Sequence, residues 1–220
     1  DALKFFKSSR NLINTHDPYL KRYIYTLVLE NKVQKATNEI KNNLTKNNSN
    51  FFEAYLLLAI NSLKEKEFKK SKDYLKKSSK FINNDRITLI IYETIKQYIY
   101  VFEKNKILKN KKNFGKISFI NEVFQRCYLG DENTKTYFEN LINNENDTNY
   151  SRYVFFKINY LIENNRFKEV KQIANKLDYL DSTILVSQSK KWVEKKKLDE
   201  FKKIFSCTNS SDIVSEFLFL

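Results

Sequence analysis

Apolar residues recur at helical spacing between residues 52 and 85. The first half of this segment has one apolar face, formed by Tyr55, Leu58, Ala59 and Leu63. After a polar stretch at 64–67, the second half has a face of apolar and small residues, formed by Phe68, Ser71, Leu75 and Ser78. The segment therefore predicts two amphipathic helices joined by a short turn. The polar residues that follow can end one helix and cap the next; they are Asn83, Asn84 and Asp85.

The same pattern occurs 35 residues earlier. There the first face is formed by Leu20, Tyr23 and Ile24, and the second by Val33, Ala36, Ile40 and Asn43. Two helices of this length cannot bury their apolar stripes alone, whereas stacked pairs bury them against each other. We therefore expect repeated helical hairpins. Because Ala2, Phe6 and Ser9 match the second helix of a unit, we also expect this chain to be a segment of a longer protein.

The pattern loosens after residue 85. The following run predicts one long helix of about 20 residues, and the basic stretch 105–116 predicts a loop or hinge. Degenerate hairpins follow at 117–129 with 134–142, 150–162 with 167–177, and 182–194 with 198–205, before a last helix. The sequence therefore predicts three parts. They are repeats with a long first helix in the third unit (1–104), the basic hinge (105–116), and divergent hairpins truncated at the C-terminus (117–220).

The segment 52–85 resembles the tetratricopeptide repeat. That motif has a bulky residue at position 4, Leu at 7, small residues at 8, 20 and 27, and an aromatic or aliphatic residue at 24. These positions are Tyr55, Leu58, Ala59, Ser71, Ser78 and Leu75. In the unit 17–50, Ile24 and Asn43 depart from the small-residue rule. The chain as a whole is similar to bacterial tetratricopeptide-repeat proteins, and the resemblance implies an all-α fold, a right-handed α-α superhelix (solenoid) of stacked helical hairpins.

The resemblance also implies a concave groove, lined by the first helix of each unit, that holds an extended peptide or a partner helix. The groove positions carried over to this chain are Lys21, Tyr25, Val28 and Leu29 in one unit and Glu53, Leu56, Ile60, Leu63 and Lys64 in the next. A groove of mixed apolar and basic character suits an acidic or amphipathic peptide. Repeats that grip a terminal carboxylate have an Asn where this chain has Leu57, so such a clamp is not expected.

Net charge leaves a second class of partner open. Lys and Arg total 40 against 26 Asp and Glu, a formal charge of +14, which is compatible with nucleic acid or an anionic surface. The lysines are spread along the chain, and the composition is typical of an AT-rich genome. Pentatricopeptide repeats, which read RNA, fit worse because their Gly and Pro-Asp at the end of each unit are absent.

We expect a non-catalytic protein-binding scaffold; the alternatives are a basic nucleic-acid or anionic-surface module and a non-catalytic arm of a larger enzyme or secretion assembly.

Candidate catalytic residues are few, and we expect neither an enzyme nor a cofactor. The one imidazole, His16, lies just before a helix beside Asp17, which is better placed as an N-cap. Glycines are too few for a phosphate-cradling loop. The carboxylate pairs in this chain occur in polar turns, where solvated loop charge is favoured over acid-base chemistry; they are Asp131 with Glu132 and Glu145 with Asp147. Trp192 fits either packing against a neighbouring hairpin or a surface contact.

Cysteine usage bears on the compartment. Cys127 and Cys207 are far apart in the sequence and have apolar neighbours, whereas zinc sites and disulfide frameworks use close, patterned spacings. We therefore expect two free, buried thiols, no metal site and a reducing, cytoplasmic location. No apolar run approaches the length of about 20 residues that a membrane span needs, although a targeting signal or anchor outside this segment stays open.

Overall fold

The computed structural model describes residues 2–14, 16, 18–43, 51–82, 85–143, 152–177 and 183–219. Within these ranges the chain contains thirteen α-helices and no strand, so the all-α prediction is confirmed. Two short 3₁₀ helices, at Arg10–Asn14 and Ser79–Phe81, follow α-helices. None of the described helices combines the length and the apolar character that crossing a membrane requires.

The chain divides into two compact units, residues 1–99 (unit 1) and residues 100–220 (unit 2). The first six helices are α1 Ala2–Ser8, α2 Pro18–Leu29, α3 Val33–Asn43, α4 Phe52–Lys64, α5 Phe68–Ser78 and α6 Arg86–Lys104. The others are α7 Lys116–Leu129, α8 Thr134–Ile142, α9 Arg152–Glu163, α10 Phe167–Lys176, α11 Ile184–Glu194, α12 Asp199–Ile204 and α13 Ser210–Phe219. The division between the units falls within α6.

Unit 1 is built from helices that pack against their neighbours in sequence, α2 on α3, α3 on α4, and α4 on α5. The small residues of the repeat pattern are buried: Ala36, Ala59 and Ser71 have no exposed surface. The Ser71 hydroxyl donates a hydrogen bond of 2.8 Å to the carbonyl oxygen of Ala59, across the α4–α5 crossing. Because a larger side chain at either position would separate the two helices, these small residues allow the close contact that defines the hairpin.

One backbone motif closes the turn of five hairpins. In each turn a residue with positive φ follows the first helix, and the next residue donates its N–H to a carbonyl five residues back. The positive-φ residues are Asn31, Lys66, Gly130, Asn165 and Lys196. The five bonds are Lys32 to Leu27, Glu67 to Ser62, Asp131 to Arg126, Arg166 to Leu161 and Lys197 to Trp192, at 2.8 to 3.0 Å. Hairpins in both units therefore end their first helices by the same Schellman motif.

The start of the long helix α6 was anticipated from the sequence. The Asp85 carboxylate accepts hydrogen bonds from the backbone N–H groups of Ile87 and Thr88, both at 3.1 Å. These are donors that have no partner within the helix, so Asp85 is the cap. The accompanying prediction for Asn83 and Asn84 lies outside the described residues.

Unit 2 has an aromatic core and a covalent cross-link. Cys127 on α7 and Cys207, in the connection between α12 and α13, form a disulfide, with their Cα atoms 5.3 Å apart. Both residues are 3% exposed. The expectation of free thiols is therefore wrong, because the fold brings together two residues that are 80 positions apart. The prediction of a reducing compartment rested on free thiols and loses that support.

The last helix of unit 2 also departs from packing between neighbours in sequence. α7 packs on α8, α8 on α9, and α9 on both α10 and α11, whereas α13 returns to contact α7. In an open stack each hairpin contacts only the adjacent ones. The contact of α13 with α7 and the nearby disulfide thus join the two ends of unit 2.

Candidate functional site

The groove positions suggested by the sequence lie on α2 and α4, the first helices of two consecutive hairpins. α2 buries one side in the unit 1 core with Leu20, Ile24 and Leu27, and α4 does the same with Leu58 and Ala59. The opposite sides of both helices carry side chains that are exposed or half-buried. We call this surface the α2–α4 face and define it by Lys21, Tyr25, Val28, Glu53, Leu56 and Ile60.

A polar cluster links the two helices on this face. The Lys21 ammonium lies 2.9 Å from Oε1 of Glu53, and the Tyr25 hydroxyl donates a hydrogen bond of 2.8 Å to the same oxygen. Lys21 and Tyr25 are one helical turn apart on α2, so both reach the carboxylate at the start of α4. The Lys21 Nζ is also 5.6 Å from the ring centroids of Tyr25 and of Phe51, a distance at which cation–π attraction operates.

The cluster shifts the pKa of each of its three members. Burial acts to raise the pKa of Glu53, but the hydrogen bond from Lys21 and the other bonds it accepts outweigh burial and hold the pKa below its usual range. The hydrogen bond to Glu53 raises the pKa of Lys21. Burial, and then the hydrogen bond to Glu53, raise the pKa of Tyr25. At neutral pH the cluster therefore holds an ion pair and a neutral phenol.

Apolar side chains lie beside this cluster. Tyr25 and Val28 on α2 are 40% and 38% exposed, and Leu56 and Ile60 on α4 are half-buried. Leu29, at the end of α2, is exposed. The α2–α4 face thus combines exposed apolar area with charged groups that hold one another in place, a composition common at protein-binding surfaces.

One of the suggested groove positions, Leu63, differs in the structure. Leu63 is buried, because it follows Ala59 by one helical turn and therefore shares the core side of α4. Its assignment to the groove is wrong. Lys64, at the C-terminal end of α4, is exposed. Hydrogen bonds to Glu53 join Lys21 and Tyr25 of the suggested set.

One residue of the site was missed. Phe51 immediately precedes α4, is half-buried, and presents its ring to the Lys21 ammonium. The repeat pattern assigned roles only to residues inside the helices, so it gave no role to this position. The adjacent pair Phe51 and Phe52 carried the available signal: Phe52 is buried, whereas Phe51 packs against the edge of the core and stays half-buried.

No family model, curated protein or solved structure matches this chain. The α2–α4 face is therefore interpreted from its own chemistry. Of the residues considered for catalysis, His16 and Glu132 are exposed and Asp131 is paired with Arg126 at 2.9 Å. The others lie outside the described residues; they are Asp17, Glu145 and Asp147. Among the described residues, no group of three or more His, Cys, Asp or Glu side chains is placed to hold a metal ion.

We expect Glu53→Gln to change the free energy of unfolding by less than about 1 kcal/mol at neutral pH. The Lys21 and Glu53 side chains are both 41% exposed, so water screens their attraction. The pKa of Glu53 is lower in the folded state than in the unfolded state, so the stabilisation is present above the unfolded pKa and is lost as the pH falls through the folded pKa. Urea unfolding followed by circular dichroism, at neutral and at acid pH, measures this loss.

The matched control for this experiment is Glu65→Gln, at an exposed position in the α4–α5 turn. The control should unfold like the wild type at both pH values. A stabilisation by Glu53 that persists unchanged at acid pH would show that the carboxylate acts through packing and not through its charge.

Proposed function

We propose that unit 1 is a non-catalytic protein-interaction module that binds an acidic, amphipathic peptide or helix on the α2–α4 face. The observation that carries this proposal is the adjacency of exposed apolar side chains, Val28 and Tyr25, to a Lys21–Glu53 ion pair on the same surface. A partner helix laid across α2 and α4 would cover the apolar residues and exchange hydrogen bonds with the ion pair. This is the helix-in-groove mode of recognition.

The proposed architecture is a tetratricopeptide-like solenoid, a right-handed superhelix of stacked hairpins. Three observations support it in unit 1: successive helices pack as neighbours, small residues occupy the crossings, and the hairpin turns at Asn31 and Lys66 are closed by the same motif 35 residues apart. In such a stack the first helices of consecutive hairpins form one surface. The hydrogen bonds from α2 to Glu53 on α4 fit that arrangement.

The charge distribution supports an acidic partner. The proposed binding face is bordered by exposed basic residues, Arg22 on α2 and Lys64 on α4, whereas Glu53 is already paired with Lys21. Arg22 and Lys64 therefore place positive charge beside the apolar centre of the face. Basic residues at the rim would orient an acidic peptide and increase its association rate, while the apolar centre would supply the affinity.

Selection of peptides from a displayed random library against the folded chain tests the proposal. We expect the selected peptides to alternate apolar and acidic positions at helical spacing, and Val28→Arg to weaken their binding at least tenfold. The loss follows from placing a charge in the apolar centre of the interface. Fluorescence polarisation of labelled peptides measures the dissociation constants.

Ile184→Arg is the matched control, because Ile184 is 90% exposed and lies in unit 2. The control should bind the selected peptides as the wild type does. Selected peptides that bind Val28→Arg and the wild type equally would place their site elsewhere and refute the proposal for this face.

A second candidate function is binding of nucleic acid or an anionic surface, and the specific observation in its favour is the basic surface of α5. Five lysines of this helix are exposed: Lys69, Lys70, Lys72, Lys76 and Lys77. This function would require binding that weakens steeply with salt, since each phosphate contact releases counterions. The lysines lie on the second helix of the hairpin and not on the α2–α4 face, and for that reason we favour the protein partner.

A further inference from the structure

A cleft of about 380 Å³ lies in unit 2, where α9, α11, the end of α12 and α13 meet. Its apolar walls include Phe156 from α9, Leu185 from α11 and Ile204 from α12. Ile204 is 50% exposed and Leu185 is half-buried, so the cleft is open to solvent on this side. A volume of this size accommodates a small organic molecule.

A buried carboxyl group forms the polar wall of the cleft. Glu216 on α13 is 7% exposed, and its Oε2 accepts a hydrogen bond of 2.5 Å from Nη2 of Arg152. The Arg152 guanidinium lies over the ring of Phe156, 5.6 Å from the centroid, and this contact helps to hold it. Among the described residues, Oε1 of Glu216 accepts no hydrogen bond. A buried carboxylate oxygen without a donor is unfavourable, and burial raises the pKa of Glu216.

A second carboxylate lines the same cleft. The Asp212 side chain is held at the start of α13, where Oδ2 accepts a hydrogen bond from the backbone N–H of Ser206 and Oδ1 accepts one from the Asn209 side chain. With Asp212 and Glu216 ionised, the described residues that line the cleft carry two negative charges and one positive charge, that of Arg152. The cleft therefore favours a cation, in a chain whose formal charge is +14.

We propose that this cleft binds a small primary ammonium carried on an apolar stem. The ammonium donates to the carboxylates of Glu216 and Asp212, and a rotation of the Glu216 carboxylate about its last side-chain torsion turns an oxygen toward the ligand. The stem lies along Phe156, Leu185 and Ile204. The proposal concerns unit 2 and does not depend on the function proposed for the α2–α4 face.

Isothermal titration calorimetry with three probes that share a phenylethyl group tests the requirement for positive charge. The probes are 2-phenylethylamine, the neutral 2-phenylethanol and the anionic 3-phenylpropionate. We expect the amine to bind at least tenfold more tightly than the alcohol and the carboxylate not to bind. An amine that gives no heat of binding, or that binds no better than the alcohol, overturns the proposal.

A fourth probe, Nα-acetyl-lysine methylamide, distinguishes a free amine from a lysine side chain of a peptide. Binding of this probe as tight as that of 2-phenylethylamine assigns the cleft to a peptide lysine. Binding at least tenfold weaker assigns it to a free amine. Either result upholds the ammonium site, provided that 2-phenylethylamine itself binds.

Three variants locate the site. Glu216→Gln removes the buried charge and should weaken binding of the amine at least tenfold, whereas Glu200→Gln, a matched change at a partly exposed position on α12, should not alter it. Ile204→Lys places a positive charge at the half-exposed rim, where the fold tolerates it, and should also weaken binding at least tenfold. The fluorescence of Trp192 verifies that each variant is folded. Binding that is unchanged in both Glu216→Gln and Ile204→Lys overturns the proposal.

Discussion

Reduction of the Cys127–Cys207 disulfide is expected to lower the free energy of unfolding of unit 2 by about 3 to 5 kcal/mol. The cross-link joins residues 80 positions apart, so it removes a large amount of conformational entropy from the unfolded chain. For a unit of this size, the loss corresponds to a decrease in midpoint temperature on the order of 10 °C.

The tryptophan fluorescence of the chain reports on this unit alone. Trp192 is the only tryptophan, and its ring packs edge-on against Phe201, 5.2 Å between centroids. Thermal unfolding followed by this fluorescence, with and without dithiothreitol, therefore follows the unfolding of unit 2 from a probe that lies inside it. Equal midpoints under both conditions would show that the disulfide does not stabilise the fold.

The double variant Cys127→Ala/Cys207→Ala separates the cross-link from effects of the reductant. We expect it to unfold near the midpoint of the reduced wild type and to be unaffected by dithiothreitol. A variant that lost stability on addition of the reductant would indicate an effect unrelated to this disulfide. The two alanines leave small cavities, so a midpoint a few degrees below that of the reduced wild type is consistent with the prediction.

Phe124→Ala is expected to destabilise unit 2 by about 3 to 5 kcal/mol. Phe124 on α7 is 1% exposed. Four other rings surround it, with centroids 5.1 to 6.2 Å away: Phe138, Tyr153, Phe156 and Phe205. Three of these four contacts are edge-to-face, a geometry that stabilises the core beyond the effect of burying the ring. Truncation would leave a cavity that rigid helices on several sides cannot close.

Phe119→Ala, on the same helix, is the matched control. Phe119 is half-buried, and among the described residues its ring stacks on that of Tyr137, 5.7 Å between centroids. We expect Phe119→Ala to lower the free energy of unfolding by less than half as much as Phe124→Ala does. Urea unfolding followed by Trp192 fluorescence measures both losses. Similar losses for the two variants would contradict the assignment of Phe124 to the centre of the core.

The helices of this chain could be predicted from its sequence because helical periodicity is a local property. The apolar spacing between residues 52 and 85 predicted the pair that the structure places at Phe52–Lys64 and Phe68–Ser78. The long helix after residue 85 was predicted on the same grounds, and its cap at Asp85 is confirmed. The turn motif was not predicted, because Lys66 and Lys196 adopt positive φ where Gly or Asn is the usual residue.

Part of the α2–α4 face could be predicted from the sequence. Lys21 and Tyr25 are one turn apart on α2, so their shared side could be read from the sequence. That Glu53 of the next hairpin accepts hydrogen bonds from both depends on how α2 and α4 lie together. The resemblance assigned Leu63 to the groove from its position in the repeat alone, which does not specify burial. The structure places Leu63 in the core.

By itself, the sequence determined the all-α class, the sites of the helices and the small residues at the crossings, because each follows from side chains within a few turns of one another. Only the tertiary structure decided that Cys127 pairs with Cys207, that Phe51 faces Lys21, and that Arg152 meets Glu216 in a cleft of unit 2. These contacts join residues that lie between 30 and 80 positions apart. No local pattern specifies contacts between residues so far apart in the sequence, since these contacts depend on the packing of the intervening helices.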